Sequence, residues 1–223
     1  MKLPIVSLSL IALILATVPA MAQTLYSNGP TNGNIYAWTV NFGFVVSDTF
    51  TLTNFDTPIT GASFGMWLFP GDTLISAELS ITSGENGGTS YFDQTVNFTQ
   101  SGCAANQYGY EVCTENTTFF GPTLNVGTYW LNLQNASVPS GDPVFWDENF
   151  GGPGSHAWPV SLASENSVGT IPSEAFTLLG QTTTTFRAGA DGEASSSVPE
   201  PSSIMLFGSG VLGLAGLLRR RLL

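Results

Sequence analysis

Between residues 23 and 187 the apolar positions recur with a period of two. Tyr36, Trp38, Val40, Phe42, Phe44 and Val46 alternate with Ala37, Thr39, Asn41, Gly43 and Val45, which predicts one strand over 36–46 with a single buried face. Thr73, Ile75, Ala77, Leu79 and Ile81 repeat the pattern after the turn residues Pro70-Gly71-Asp72. Gly84-Glu85-Asn86-Gly87-Gly88 then reverses the chain into 91–99, where Phe92, Val96 and Phe98 share a face, so a hairpin is expected. Further strands are predicted at 49–54, 62–69, 108–112, 117–120, 128–134, 143–147 and 174–179. About nine or ten short strands, turn signals roughly every 8–12 residues and no helical spacing predict an all-β domain, an antiparallel β-sandwich of jelly-roll type over 23–187.

The two ends break this pattern with continuous apolar runs. Lys2, an apolar stretch from Ile5 to Val18, and Ala20-Met21-Ala22 have the order of a secretory signal peptide over 1–22, a helix removed after Ala22. At the other end Thr182–Thr185 and the Gly, Ala and Ser of 188–197 read as a flexible linker. Pro199-Glu200-Pro201 follows, then the uncharged run 204–218 with Gly208, Gly210, Gly213 and Gly216, then Arg219-Arg220-Arg221. The run predicts a membrane helix with the arginines as a stop on the cytoplasmic side. At about 1.5 Å per residue it is shorter than the roughly 30 Å hydrocarbon core, which suits a temporary tether.

Residues 198–223 resemble the PEP-CTERM sorting signal, in which a Pro-Glu-Pro element, a Gly-rich apolar helix and an Arg cluster occur in that order. The resemblance implies that a membrane protease of the exosortase type cuts near Pro199, Glu200 and Pro201. It implies an inner-membrane intermediate with its C-terminus in the cytoplasm, followed by passage to the cell surface or extracellular matrix. In this reading the chain is a substrate of sorting and not the sorting enzyme.

Charge narrows the field of partners. The chain has 5 Lys+Arg against 16 Asp+Glu, a net charge of -11, and 9% charged residues. Four of the five basic residues, Lys2 and Arg219–Arg221, lie in the terminal segments, leaving Arg187 as the one cation of the middle. Such a surface repels phosphate backbones, which excludes nucleic-acid binding. Cys103 and Cys113 form an isolated pair, expected in an exported chain to be a disulfide closing a small loop, worth about 2–3 kcal/mol.

Candidate chemistry is sparse. His156, the single histidine, sits in a Gly-rich segment without a G-x-S-x-G nucleophile elbow, and no zinc, Walker or dinucleotide fingerprint occurs. Asp142, Asp147, Glu148 and Glu85 are the carboxylates from which a glycosidase pair would have to come. Asp142, Asp147, Glu148 and Asn149 also offer hard oxygens to a Ca2+ ion, without EF-hand spacing. The densest aromatic and amide stretches contribute Trp130 and Asn132, then Trp146, Asp147, Glu148 and Asn149. Rings that stack on sugar faces beside groups that bond hydroxyls mark these six as the candidate glycan site, unless both tryptophans belong to the core. The sequence thus points to a non-catalytic surface protein associated with extracellular polysaccharide. The alternatives are a purely structural surface protein, or a secreted carboxylate-dependent glycoside hydrolase.

Overall fold

The computed structural model describes residues 22–54, 57–149 and 161–180, all within the first of two units into which the chain divides after Thr183. The helices expected at 1–22 and 204–218, the linker, the sorting motif, the arginines and His156 lie outside the described residues, apart from Ala22. Among the described residues no helix is long and apolar enough to cross a membrane.

Fourteen strands account for the described architecture. In chain order they are β1 (Gln23–Ser27), β2 (Ala37–Thr39), β3 (Val45–Leu52), β4 (Thr57–Leu68), β5 (Ser76–Gly84), β6 (Gly87–Asn97) and β7 (Thr99–Ala105). They continue with β8 (Glu111–Thr118), β9 (Thr123–Leu124), β10 (Gly127–Ser137), β11 (Phe145–Asp147), β12 (Ala163–Glu165), β13 (Gly169–Ile171) and β14 (Phe176–Gly180). Every pairing between them is antiparallel.

The strands form two sheets. In the first, β4 is the axis: β14 and β11 lie end to end along one edge, extended by β1 and β2, and β8 with β7 lies along the other. The second runs β13-β12-β3-β10-β5-β6. Antiparallel, sandwich-like pairing is as the period-two pattern predicts. The jelly-roll connectivity is not confirmed, because a central strand with two partners sharing one edge is a branched sheet and not a plain pair of Greek keys.

Between the sheets the inward faces merge into one core. Phe50, Leu79, Ile81, Leu131 and Leu133 of the second sheet pack with Phe64, Met66, Trp146, Phe176 and Leu178 of the first, all buried. Tyr26 bridges the layers, its ring 6.2 Å from Phe50 and 5.5 Å from Phe176. Truncating a fully buried leucine such as Leu131 or Leu133 to alanine would cost roughly 2–5 kcal/mol.

The predicted strand over 36–46 is instead two strands in different sheets. The chain turns at Asn41-Phe42-Gly43, where Phe42 and Gly43 have φ of 57° and 89°. The Asn41 side chain pins this turn by donating to the Asp142 carbonyl and accepting from Val144 N–H, at 2.9 and 3.3 Å. Alternation continues across the break because Phe42 and Phe44 are apolar yet exposed. The expected hairpin of 73–81 and 91–99 is β5 and β6, reversing at Glu85-Asn86 between the paired glycines Gly84 and Gly87. The segments expected as strands at 108–112 and 117–120 are mostly one strand, β8, which leaves Tyr108 and Tyr110 in the turn before it.

Candidate functional site

A cleft opens where β2, β4 and β11 meet the β7–β8 turn. Trp67 on β4 stands in register with Phe145 on β11. Its neighbours Met66 and Leu68 face the core, so alternation sends Trp67 to the outer face of the first sheet. Tyr108 and Tyr110 reach it from the β7–β8 turn, and Ile35, Tyr36 and Ala37 close the far side. These residues enclose about 390 Å³, within the range of small-molecule sites of about 300–1,000 Å³.

The cleft is built almost entirely of rings. Tyr108 stacks on Trp67 with centroids 5.8 Å apart and planes at 23°. Tyr110 lies 5.7 Å from Trp67 and meets Phe145 and Phe69 edge-on at 5.4 and 5.0 Å. Trp67 is 6% exposed and forms the floor, whereas Tyr36 and Tyr108, each 55% exposed, form the rims.

The turn carrying the two tyrosines is preorganised from its own residues. Asn106 accepts through its side-chain oxygen from the N–H groups of Tyr108 and Tyr110, both at 3.0 Å, and Gly109 takes a φ of 86° that completes the reversal. Below it, Gly102 and Cys103 together oppose the one residue Cys113, a bulge in the β7–β8 ladder. That bulge carries the Cys103–Cys113 disulfide, as expected from the sequence.

Behind the rings lie carboxylates. Asp147 is fully buried and accepts from Trp67 Nε1–H at 2.7 Å and from Gly33 N–H at 2.9 Å. Burial pushes its carboxyl up to about 7, against the opposing pull of these donors. Glu148, the next residue, sends its side chain to the other side of the strand and accepts from Trp38 Nε1–H at 3.3 Å; burial raises it too. Deeper, Glu174 N–H donates to Asp48 at 2.6 Å, and Asn28 donates to the same oxygen at 3.0 Å. Burial pushes Asp48 up to about 7. It raises Glu174 well above the ordinary carboxylate range too, helped by repulsion from Asp48, Glu148 and Asp147. Neither Glu174 oxygen has a hydrogen-bond partner among the described residues, which include no Lys, Arg or His.

The six residues of the sequence-based glycan site do not converge. Trp130 and Asn132 lie on β10 in the second sheet, on the face opposite the core residues Leu131 and Leu133. Asn132 is buried and donates to Ser80 and Thr82 while accepting from Ser47 at 2.6 Å, which consumes it structurally. Trp146 is a core residue with no exposed surface, its Nε1–H donating to the Ala175 carbonyl at 3.0 Å. Asn149 staples two segments, donating to the Asn28 carbonyl and the Ser173 hydroxyl at 2.8 and 3.0 Å. Asp147 backs the aromatic cleft through Trp67, whereas Glu148 bonds Trp38, which packs against the core and does not line the cleft.

The oxygen set suggested for Ca2+ is likewise dispersed. Asp142 belongs to the turn at the opposite end of β11, where its N–H donates to Ser140 Oγ at 3.0 Å. Among the described residues no three His, Cys, Asp or Glu side chains gather as metal ligands would. Glu85 lies exposed in the β5–β6 reversal.

The sequence reading passed over Tyr36, Trp67, Tyr108, Tyr110 and Phe145 as strand residues. Their one local signal was Tyr108-Gly109-Tyr110 inside the Cys103–Cys113 interval, two exposed-type rings on a glycine turn in a stapled loop.

The described residues therefore define an all-β protein of two antiparallel sheets with one disulfide and an aromatic cleft on an outer sheet face. Residues 197–221 match the family model of the PEP-CTERM protein-sorting motif. The chain carries that signal, which makes it an exported protein processed by an exosortase at the membrane and sorted to the surface. No curated protein matches the chain.

Proposed function

We propose that this sorted surface protein is a non-catalytic glycan-binding component of the extracellular polysaccharide layer, and that its site is the cleft of Tyr36, Trp67, Tyr108, Tyr110 and Phe145. The observation that carries this reading is the stacked pair Tyr108–Trp67 facing an open cleft of about 390 Å³. Flat apolar rings bind the C–H faces of sugars, and phenol hydroxyls at the rim bond sugar hydroxyls. The carboxylates argue against hydrolysis. Asp147 is buried and bonded on both oxygens, and Glu148 departs to the other side of its strand, so the two do not flank a shared glycosidic bond.

Titration of the full chain with exopolysaccharide from the producing cell, followed by calorimetry, tests the proposal. Saturable heat is expected, and its loss in a Tyr36→Ala/Tyr108→Ala variant would locate it in the cleft. Heat that is absent, or unaltered in that variant, would refute this site. Loss of heat in EDTA would bring Ca2+ into the binding reaction.

A further inference from the structure

We infer that the cleft recognises a protonated amine carried on a sugar ring, so that its ligand is a glycan containing unacetylated amino sugars. This rests on the glycan-binding reading and narrows it to one ligand class.

The rings set the electrostatics of the cleft. Aromatic faces are electron-rich and attract ammonium groups, tryptophan and tyrosine most strongly. Trp67 and four further rings line the cleft. The Trp67 N–H is engaged by the buried Asp147 carboxyl at 2.7 Å, a group that does not line the cleft, so a ligand meets chiefly the rings of Tyr36 and Tyr108, each 55% exposed, and pairs directly with no carboxylate among the lining residues.

The charge around the cleft favours the same ligand. No Lys, Arg or His occurs among the described residues, so none of them competes for the ring faces or repels an incoming cation. The chain carries a net charge of -11, a field that concentrates cations and disfavours acidic sugars. A uronic or sulfated residue would find no positive partner among the described residues. A neutral ring would keep only the C–H contacts, and an amino sugar adds the charge for which the rings are suited.

The test uses the full chain in an uncharged detergent and tryptophan fluorescence as the readout. Three oligosaccharides of equal length serve as probes: a glucosamine oligomer, its N-acetylated counterpart and a neutral glucose oligomer, all at a pH where the amines are charged. The glucosamine oligomer should bind about tenfold more tightly than the other two, with affinity falling as salt is raised and with tetramethylammonium competing. A Tyr36→Leu/Tyr108→Leu variant, which changes no charge and alters only half-exposed side chains, should lose the preference, and Tyr108→Phe should keep it. Equal affinity for all three oligomers would overturn the amine inference and leave glycan binding standing. Failure of all three to bind would overturn both. Glucosamine binding that survives in the double leucine variant would trace the attraction to diffuse charge and overturn the cleft as its site.

Discussion

Glu174 sits fully buried with both carboxylate oxygens unpartnered among the described residues, beside Asp48, Glu148 and Asp147. A carboxyl in such a place is tolerated as the neutral acid far better than as the anion. The consequence for stability follows from proton counting. In the unfolded chain these groups release their protons near pH 4, whereas in the fold Asp48 and Asp147 hold theirs up to about 7, and Glu174 is raised as well. Between those limits the folded state binds more protons, so stability is greatest on the acid side and declines as pH rises towards about 7. Thermal unfolding should show a falling Tm between pH 5 and pH 8, roughly the window set by these carboxyls. Glu174→Gln should raise stability at pH 8 by about 1–3 kcal/mol and change little at pH 5; a pH-independent gain, or a loss at both, would show that Glu174 is not held as the neutral acid. The same scale explains why the site was only partly legible. Val144, Phe145 and Trp146 are three consecutive apolar residues, and nothing local says which of them faces inward. The register of β11 on β4 decides it, pairing Trp146 with Met66 and Phe145 with Trp67, and so sends the tryptophan to the core and the phenylalanine to the cleft.

Strands whose two faces differ sharply in polarity, such as β5 and β10, were legible because one buried face imposes a strict period. What escaped were the junctions. The sheet-crossing turn at Asn41-Phe42-Gly43 is disguised by exposed phenylalanines, and β7 is too exposed to show a period at all. The β7–β8 element nevertheless carries two of the five rings of the cleft, and its disulfide spans the turn that presents Tyr108 and Tyr110. Opening the bond frees a loop of sequence separation 10, at a cost to the fold of about 2–3 kcal/mol in the chain-entropy model. Without the disulfide the turn keeps the Asn106 bonds, a Gln107 bond to the Asn34 carbonyl at 3.1 Å and the packing of its rings on Trp67, contacts that can reorder without unfolding the sheets, so ligand binding should suffer more than folding. A Cys103→Ser/Cys113→Ser variant should remain folded by circular dichroism yet bind glycan at least about tenfold more weakly, because the rings must then be ordered on binding. Undiminished affinity would mean that packing against Trp67 alone fixes the tyrosines.

For the whole molecule, export and ligand preference join in one argument about charge. A cleft with no cation among the described residues, in a chain of net charge -11, has little to hold in a cytoplasm rich in nucleic acid, since phosphate is repelled by the same field that would gather amines. Under the proposed glycan-binding function, sorting to the surface would give the cleft access to its ligand, and the PEP-CTERM motif at 197–221 is the part of the chain that directs it there. The motif has separable parts with different physical tasks. The resemblance assigns recognition to Pro199, Glu200 and Pro201. Arg219, Arg220 and Arg221 follow an apolar run and favour the side of the membrane where positive charge is retained. Alanine replacement of Pro199, Glu200 and Pro201 should leave the chain in the membrane fraction without the C-terminal shortening that pulse labelling should show for the unaltered protein. Neutral replacement of the three arginines should weaken membrane retention before processing, so that chains escape uncut. If both variants were shortened and delivered like the unaltered chain, the sorting signal would not be what takes this protein to the surface.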